Sequence, residues 1–183
     1  MKKIHEVRIT PEKVEVNGNR IFSNATGREL LKEIYRVKIG DYPKFYKMDI
    51  LCQLGFVASE LLLIAEGKVR FIECDDRAIM LFGKNSSLCA DLDYQQTISN
   101  RQGFFPSPLL FVYTLPNIVT GEIALRNKYH GETSYLVVDD LTLIEEYIEI
   151  FMDTSLLIKS AICGWIDTRG KNDFEADLWI IEK

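Results

Sequence analysis

Two adjacent carboxylates, Asp139-Asp140, stand just ahead of an amphipathic run that begins at Leu141. Such a pair can do acid–base work, because each charge raises the pKa of the other and a raised carboxyl can donate its proton. The same residues also suit the first turn of a helix, where a carboxylate accepts free backbone N–H groups and meets the positive end of the dipole. Capping is the favoured reading. The four cysteines, Cys52, Cys74, Cys89 and Cys163, are widely spaced, with no Cys-x-x-Cys pair and only His5 and His130 to join them. Metal ligands normally come at short spacing, so no metal site is expected, and no other cofactor. Cys163 sits in the apolar run Ala161 to Trp165, the setting of a buried, inert thiol. Cys89 follows Ser86-Ser87 at a helix start, where a thiol pKa can fall, yet packing is its simpler role. His130 follows Tyr129 at the end of a helical pattern, where a cation meets the negative end of the dipole.

The elements that must position these residues read as strands and helices in rough alternation. Ile4 to Thr10 has the two-residue period of a strand, and Val14 to Val16, Asn17-Gly18-Asn19 and Arg20 to Phe22 spell a hairpin. Helical spacing runs over Gly27 to Val37 with Thr26 or Asn24 as cap, then over Lys47 to Glu66, Leu88 to Ile98, Asn117 to Tyr129 and Leu141 to Met152. Strands are expected over Val69 to Phe82, Tyr135 to Val138, Leu156 to Ile166 and Ala176 to Ile181, with a turn over Asp167 to Asn172. Arg101 to Leu110 reads as a loop punctuated by Gly103, Pro106 and Pro108. Helices interleaved with apolar strands predict an α/β layer structure.

The chain has 183 residues, 47% hydrophobic and 27% charged, and this excludes a disordered or low-complexity polymer. Residues 1–183 are expected to form one domain. With 22 basic and 27 acidic residues the net charge is −5, which argues against nucleic acid, whose affinity comes from Lys/Arg excess. No apolar run reaches the ~18 residues of a membrane helix, and no export signal follows Met1, so a cytoplasmic protein with no membrane partner is expected.

The most specific feature is the segment from Phe105 to Arg126, with Ser107-Pro108, Phe111, Leu115-Pro116-Asn117, Gly121, Ile123-Ala124 and Arg126. It resembles the segment that precedes the catalytic strand in β-ketoacyl synthases, the condensing enzymes of the thiolase-like fold. Gly131 to Asp140 resembles that strand, and Ile158 to Asp167 is similar to the family's glycine-containing strand. Tyr46 to Leu63 is similar to its helix after the first loop. The likeness is strongest between Phe104 and Asp167 and covers the N-terminal half of a full-size ketosynthase.

The resemblance implies a thiolase-like half, a mixed five-stranded sheet covered by helices. It implies no catalytic residue, because the position of the family's nucleophilic cysteine falls at Asp140, and a carboxylate cannot supply the thiolate that condensation needs. The family's two histidines lie in its C-terminal half, and neither His5 nor His130 matches them. It implies an interface as well. In ketosynthases the strand leading to the nucleophile pairs antiparallel with its twin, and here that strand is Thr133, Ser134, Tyr135, Leu136, Val137 and Val138, whose run Tyr135 to Val138 is apolar on both faces. The expectation is a non-catalytic subunit in fatty acid, polyketide or aryl-polyene-type synthesis, paired as a homodimer or with a full-length ketosynthase, with an acyl carrier protein as a further partner. Two alternatives stand beside it: a module that binds an acyl group or acyl carrier protein, and a residual acyltransferase or thioester hydrolase using Asp140 or Cys89.

Overall fold

The computed structural model describes residues 2–99 and 105–183. Seven strands and six α-helices follow in the order β1 (Lys2–Thr10), β2 (Lys13–Val16), β3 (Asn19–Ile21), α1 (Gly27–Lys38), α2 (Ile50–Glu66), β4 (Arg77–Gly83), α3 (Leu88–Ile98), α4 (Pro108–Val112), α5 (Ile118–Asn127), β5 (Thr133–Val137), α6 (Thr142–Thr154), β6 (Ser160–Gly170) and β7 (Asp173–Glu182). All the strands join one mixed sheet in the order β3-β2-β1-β7-β6-β4-β5. β4 runs parallel to both β5 and β6, while β7 runs antiparallel to β6 and β1.

The sheet is two strands wider than the five expected, because the N-terminal hairpin does not stand apart from it. Val7 pairs with Val16 and Ile9 with Val14, so β2 and β3 extend the β1 side. The turn that makes this possible is Asn17-Gly18, with φ of 51° and 76°, the two positive values that a twisted two-residue hairpin requires.

Alternation of side chains divides the core between two faces. Val7, Ile9, Ile79, Leu81, Ile162, Ile166, Leu178 and Ile180 point to one face and pack against α1, α2 and α5. Ala78, Met80, Phe82, Ala161 and Cys163 point to the other, where Ile144, Ile148 and Met152 of α6 cover them at i, i+4, i+8 spacing. α2 lies deepest, with every residue from Ile50 to Leu63 buried. Asp49 caps it by accepting the Cys52 N–H at 2.9 Å. Its polar side chains are satisfied within the core. Gln53 donates to the Phe45 carbonyl at 3.0 Å, and Glu60 pairs with Arg70 and with Arg126, the latter at 3.6 Å. Rings of Tyr35 and Phe45 stack at 4.1 Å beside it. No helix among the described residues is long and apolar enough to cross a membrane.

Several expected boundaries move. The long helix begins at Ile50 rather than Lys47, because Pro43–Lys47 closes first as a 3₁₀ turn. The strand expected from Val69 begins at Arg77; the preceding residues include Phe71 at φ 63°, outside strand conformation. β6 begins at Ser160 and runs on to Gly170, so Asp167 lies within a strand and only Lys171-Asn172 turns. Thr26 and Ser87 precede α1 and α3 without a side-chain capping bond. Of the loop expected over Arg101 to Leu110, Arg101 to Phe104 lie outside the described residues, and from Pro108 the chain is helical.

Candidate functional site

Ligands of open parallel sheets gather at the carboxyl ends of the strands, where loops leave the sheet. Here those ends are Gly83 on β4 and Val137 on β5, beside Ile166-Asp167 on β6. Their approach is close. A Cβ at Gly83 would lie 2.1 Å from the Tyr135 hydroxyl and 2.3 Å from the Ile166 carbonyl oxygen, so no other residue fits. Tyr135 donates to that same carbonyl at 3.2 Å, linking β5 to β6 across β4.

Asp167, 2% exposed, fixes the exit of β4. Its carboxylate accepts the Lys84 N–H at 3.1 Å, the Asn85 N–H at 2.7 Å and the Asn85 side-chain amide at 2.6 Å. Its residue type and the glycine after it spell a turn, whereas the structure holds it within β6. The signal was present in its neighbours, since Ile166 and Thr168 continue the strand pattern and are wholly buried.

Asp139 and Asp140 follow β5 but do not act on each other. Asp139 is exposed and pairs with Lys84 at 3.2 Å. Asp140 accepts both the Thr142 hydroxyl at 2.7 Å and the Thr142 N–H at 2.9 Å, and these bonds hold its carboxyl below the usual range. It is therefore a charged acceptor fixing the start of α6, the opposite of a raised general acid.

The other candidates are structural in their surroundings. Burial pushes the Cys163 and Cys52 thiols well up, and Cys163 donates weakly to the Trp179 carbonyl at 3.7 Å. Burial raises Cys89 and Cys74 as well. His130 is exposed before β5, and His5 lies on β1 with its Nδ1 at 3.1 Å from the Asn17 amide. Among the described residues no three His, Cys, Asp or Glu side chains gather as a metal site. A cleft of about 480 Å³ opens at the other end of β4 and contains the buried Arg77–Glu66 pair. Its charges largely answer one another: Lys68 meets Glu66 at 3.1 Å and Lys159 meets Asp76 at 2.8 Å.

Among the described residues β5 is the last strand of the sheet and pairs only with β4. It is not buried as its composition suggested. Thr133 is exposed, Ser134, Tyr135 and Leu136 are half-buried, and Val137 is 59% exposed; Val138 lies one residue past the strand. The reason is that among the described residues no strand lies along its outer side. The bonds Ile79 N–H to Glu132 O and Val138 N–H to Gly83 O show which residues face β4. By the period of two, Ser134 and Leu136 face it too, so Thr133, Tyr135 and Val137 direct their N–H and C=O groups outward. Beside this edge α6 carries a second feature that periodicity alone did not single out. Leu143, Tyr147 and Ile150 form an exposed apolar stripe, and Tyr147 meets Phe82 of β4 at 6.1 Å between rings.

No protein-family model matches the chain, and no curated protein sequence does. Solved structures do. One is the ishigamide ketosynthase/chain length factor, at 16% identity and a TM-score of 0.70, covering 99% of this chain and 61% of that one. Another is the ketosynthase ApeO in complex with its chain length factor ApeC from Xenorhabdus doucetiae, at 11% identity and a TM-score of 0.61, covering 100% of this chain and 78% of that one. This chain thus spans less than two thirds of the first structure's length. The agreement runs over the whole sheet and its helices, and the chain has the ketosynthase-like form of the thiolase fold that its sequence resembles.

Proposed function

We infer that the chain is a non-catalytic ketosynthase-like subunit that pairs through β5 with a catalytic ketosynthase, in cytoplasmic polyketide- or aryl-polyene-type synthesis. The observation that carries this reading is the open β5 edge together with the turn immediately after it, where Asp140 accepts two bonds from Thr142 and no thiol stands. Unpaired edge groups with no Lys or Pro to blunt them call for another strand. The turn, meanwhile, holds Asp140 bonded to Thr142 where the resemblance puts a nucleophile. Both related structures are named as ketosynthases with chain length factors, which supports a partnered role. The exposed stripe Leu143, Tyr147 and Ile150 adds apolar area alongside the edge.

The test is copurification from the native cell with a tag on this chain, with the recovered proteins identified by mass. A ketosynthase recovered with wild type and lost with Val137→Pro supports the reading. Proline at Val137 deletes an outward donor, whereas Leu136 faces β4 and its replacement would disturb the fold itself. A wild-type chain that is monomeric by light scattering and recovers no ketosynthase overturns it. So does a condensation product formed from acyl and malonyl thioesters by the chain alone.

A further inference from the structure

A groove of about 240 Å³ runs between α6 and β7 on the second face of the sheet, where β6 and β4 separate it from the β5 edge. Its floor is apolar and buried, from Ile148 of α6 and Ile181 of β7. One wall is the half-buried ring of Trp179. The other holds Glu145 and Glu149, exposed and one turn apart on the flank of α6. Among the described residues neither takes part in an ion pair or a side-chain hydrogen bond, and α6 has no Lys or Arg to answer its acids. The opposite flank of the helix bears Tyr147, which meets Phe82, so the groove and the apolar stripe are separate surfaces. A cation already stands on the indole. Lys3 Nζ lies 4.6 Å from the centre of the Trp179 ring, and the carboxylate it pairs with is Glu6 at 3.1 Å, outside the groove.

We propose that this groove is a docking site for an arginine side chain presented by a partner protein. An indole face attracts a cation, and Lys3 shows that this ring is open to one. The apolar floor takes the aliphatic stem, as long basic side chains lie on apolar surface with the charged head at its rim. There Glu145 and Glu149 offer carboxylates that no basic group of α6 answers, the acceptors that a planar guanidinium matches best. At ~30 Å³ per heavy atom the groove holds on the order of eight such atoms, the size of one arginine side chain. Charge also decides the kind of partner. A second copy packed α6 to α6 would set acids against acids, whereas a basic surface is complementary. The arginine displaces Lys3 from the ring and leaves it to Glu6. The groove is independent of β5, so it stands or falls apart from the subunit reading.

Titration of the isotope-labelled full chain, followed by NMR, tests this with two peptides: acetyl-Leu-Ala-Arg-Ala-Leu-amide and the same peptide with citrulline, the uncharged isostere, in place of arginine. The arginine peptide is expected to shift the amides of Glu145 and Glu149 and the indole N–H of Trp179 along one saturable curve, and the citrulline peptide to bind about fivefold more weakly. Glu145→Gln combined with Glu149→Gln, both on the surface, is expected to weaken the arginine peptide about fivefold and leave the citrulline peptide unchanged. Lys3→Ala removes the competing cation and is expected to tighten the arginine peptide about threefold. Equal affinity for the two peptides, no saturable shift at the groove, an arginine affinity untouched by the double variant, or a Lys3→Ala chain that binds no more tightly would each overturn the proposal.

Discussion

Asn85 gives both its backbone N–H and its side-chain amide to the carboxylate of Asp167, at 2.7 and 2.6 Å. One buried acid thereby holds the segment that leaves β4 at the end of the sheet where ligands of this architecture gather. Asp167→Ala strands these donors with no acceptor and is expected to cost about 3 kcal/mol. Urea unfolding of the variant checks this, and an unchanged midpoint would show that the loop satisfies its donors elsewhere.

Stability in acid turns on Glu66. Burial alone would raise its carboxyl, but hydrogen bonds and charge from Arg77 and Lys68 bring it below the ordinary glutamate value. A depressed folded-state pKa gives stability that is present above the unfolded value and is lost as pH falls through the folded one. Thermal melts should therefore fall below pH ~4.3, the unperturbed glutamate value. Glu66→Gln leaves the Arg77 guanidinium buried without its charge partner and is expected to cost about 3 kcal/mol at neutral pH. It should also flatten the acid limb, and an acid limb identical to wild type would assign the effect to other carboxylates.

No thiol in this chain is activated. Burial raises all four, and Cys52 and Cys163 are enclosed as well. Thiol-exchange labelling at neutral pH should be slow for Cys74 and Cys89, and should reach Cys52 and Cys163 only with unfolding. Rapid modification of any one of them in the native protein would contradict this.

The two aromatic residues Trp165 and Phe56 should separate in a stability series. Phe56, on α2, is fully buried against the Tyr42 and Phe45 rings, and Phe56→Ala is expected to cost about 4 kcal/mol. Trp165 is only half-buried and donates to Glu175 at 3.1 Å, so Trp165→Ala should cost about 2 kcal/mol. Reversal of that order in denaturant midpoints would mean that α6 leaves less of the second face open than these burials indicate.

Local chemistry was readable where one residue type dictates one backbone form. The Asn17-Gly18 turn, the apolar spacing of Leu30, Leu31 and Ile34, and the strand containing Met80 to Phe82 all stand where their patterns put them. Patterns failed where composition and conformation part company. Val69 to Ile72 are apolar enough for a strand, yet positive φ at Phe71 and the side-chain bonds of Arg70 to Glu60 and Asn127 hold them in a loop. Asp167 looked like a turn residue because its value lies in three donors more than 80 positions earlier in the chain.

The place of β7 in the sheet has a consequence for how the chain is made. β7 lies between β1 and β6, and Lys2 pairs with Glu182. The hairpin of β1, β2 and β3 therefore has no lasting partner until β7, made after the other six strands, bridges it to the rest. Contacts of this separation are slow to form, and during synthesis they leave two incomplete sheets with open edges. Before the assembled protein presents β5 to any partner, the emerging chain presents β1 and β6 as well, and a cell that makes it at high level would need to shield all three.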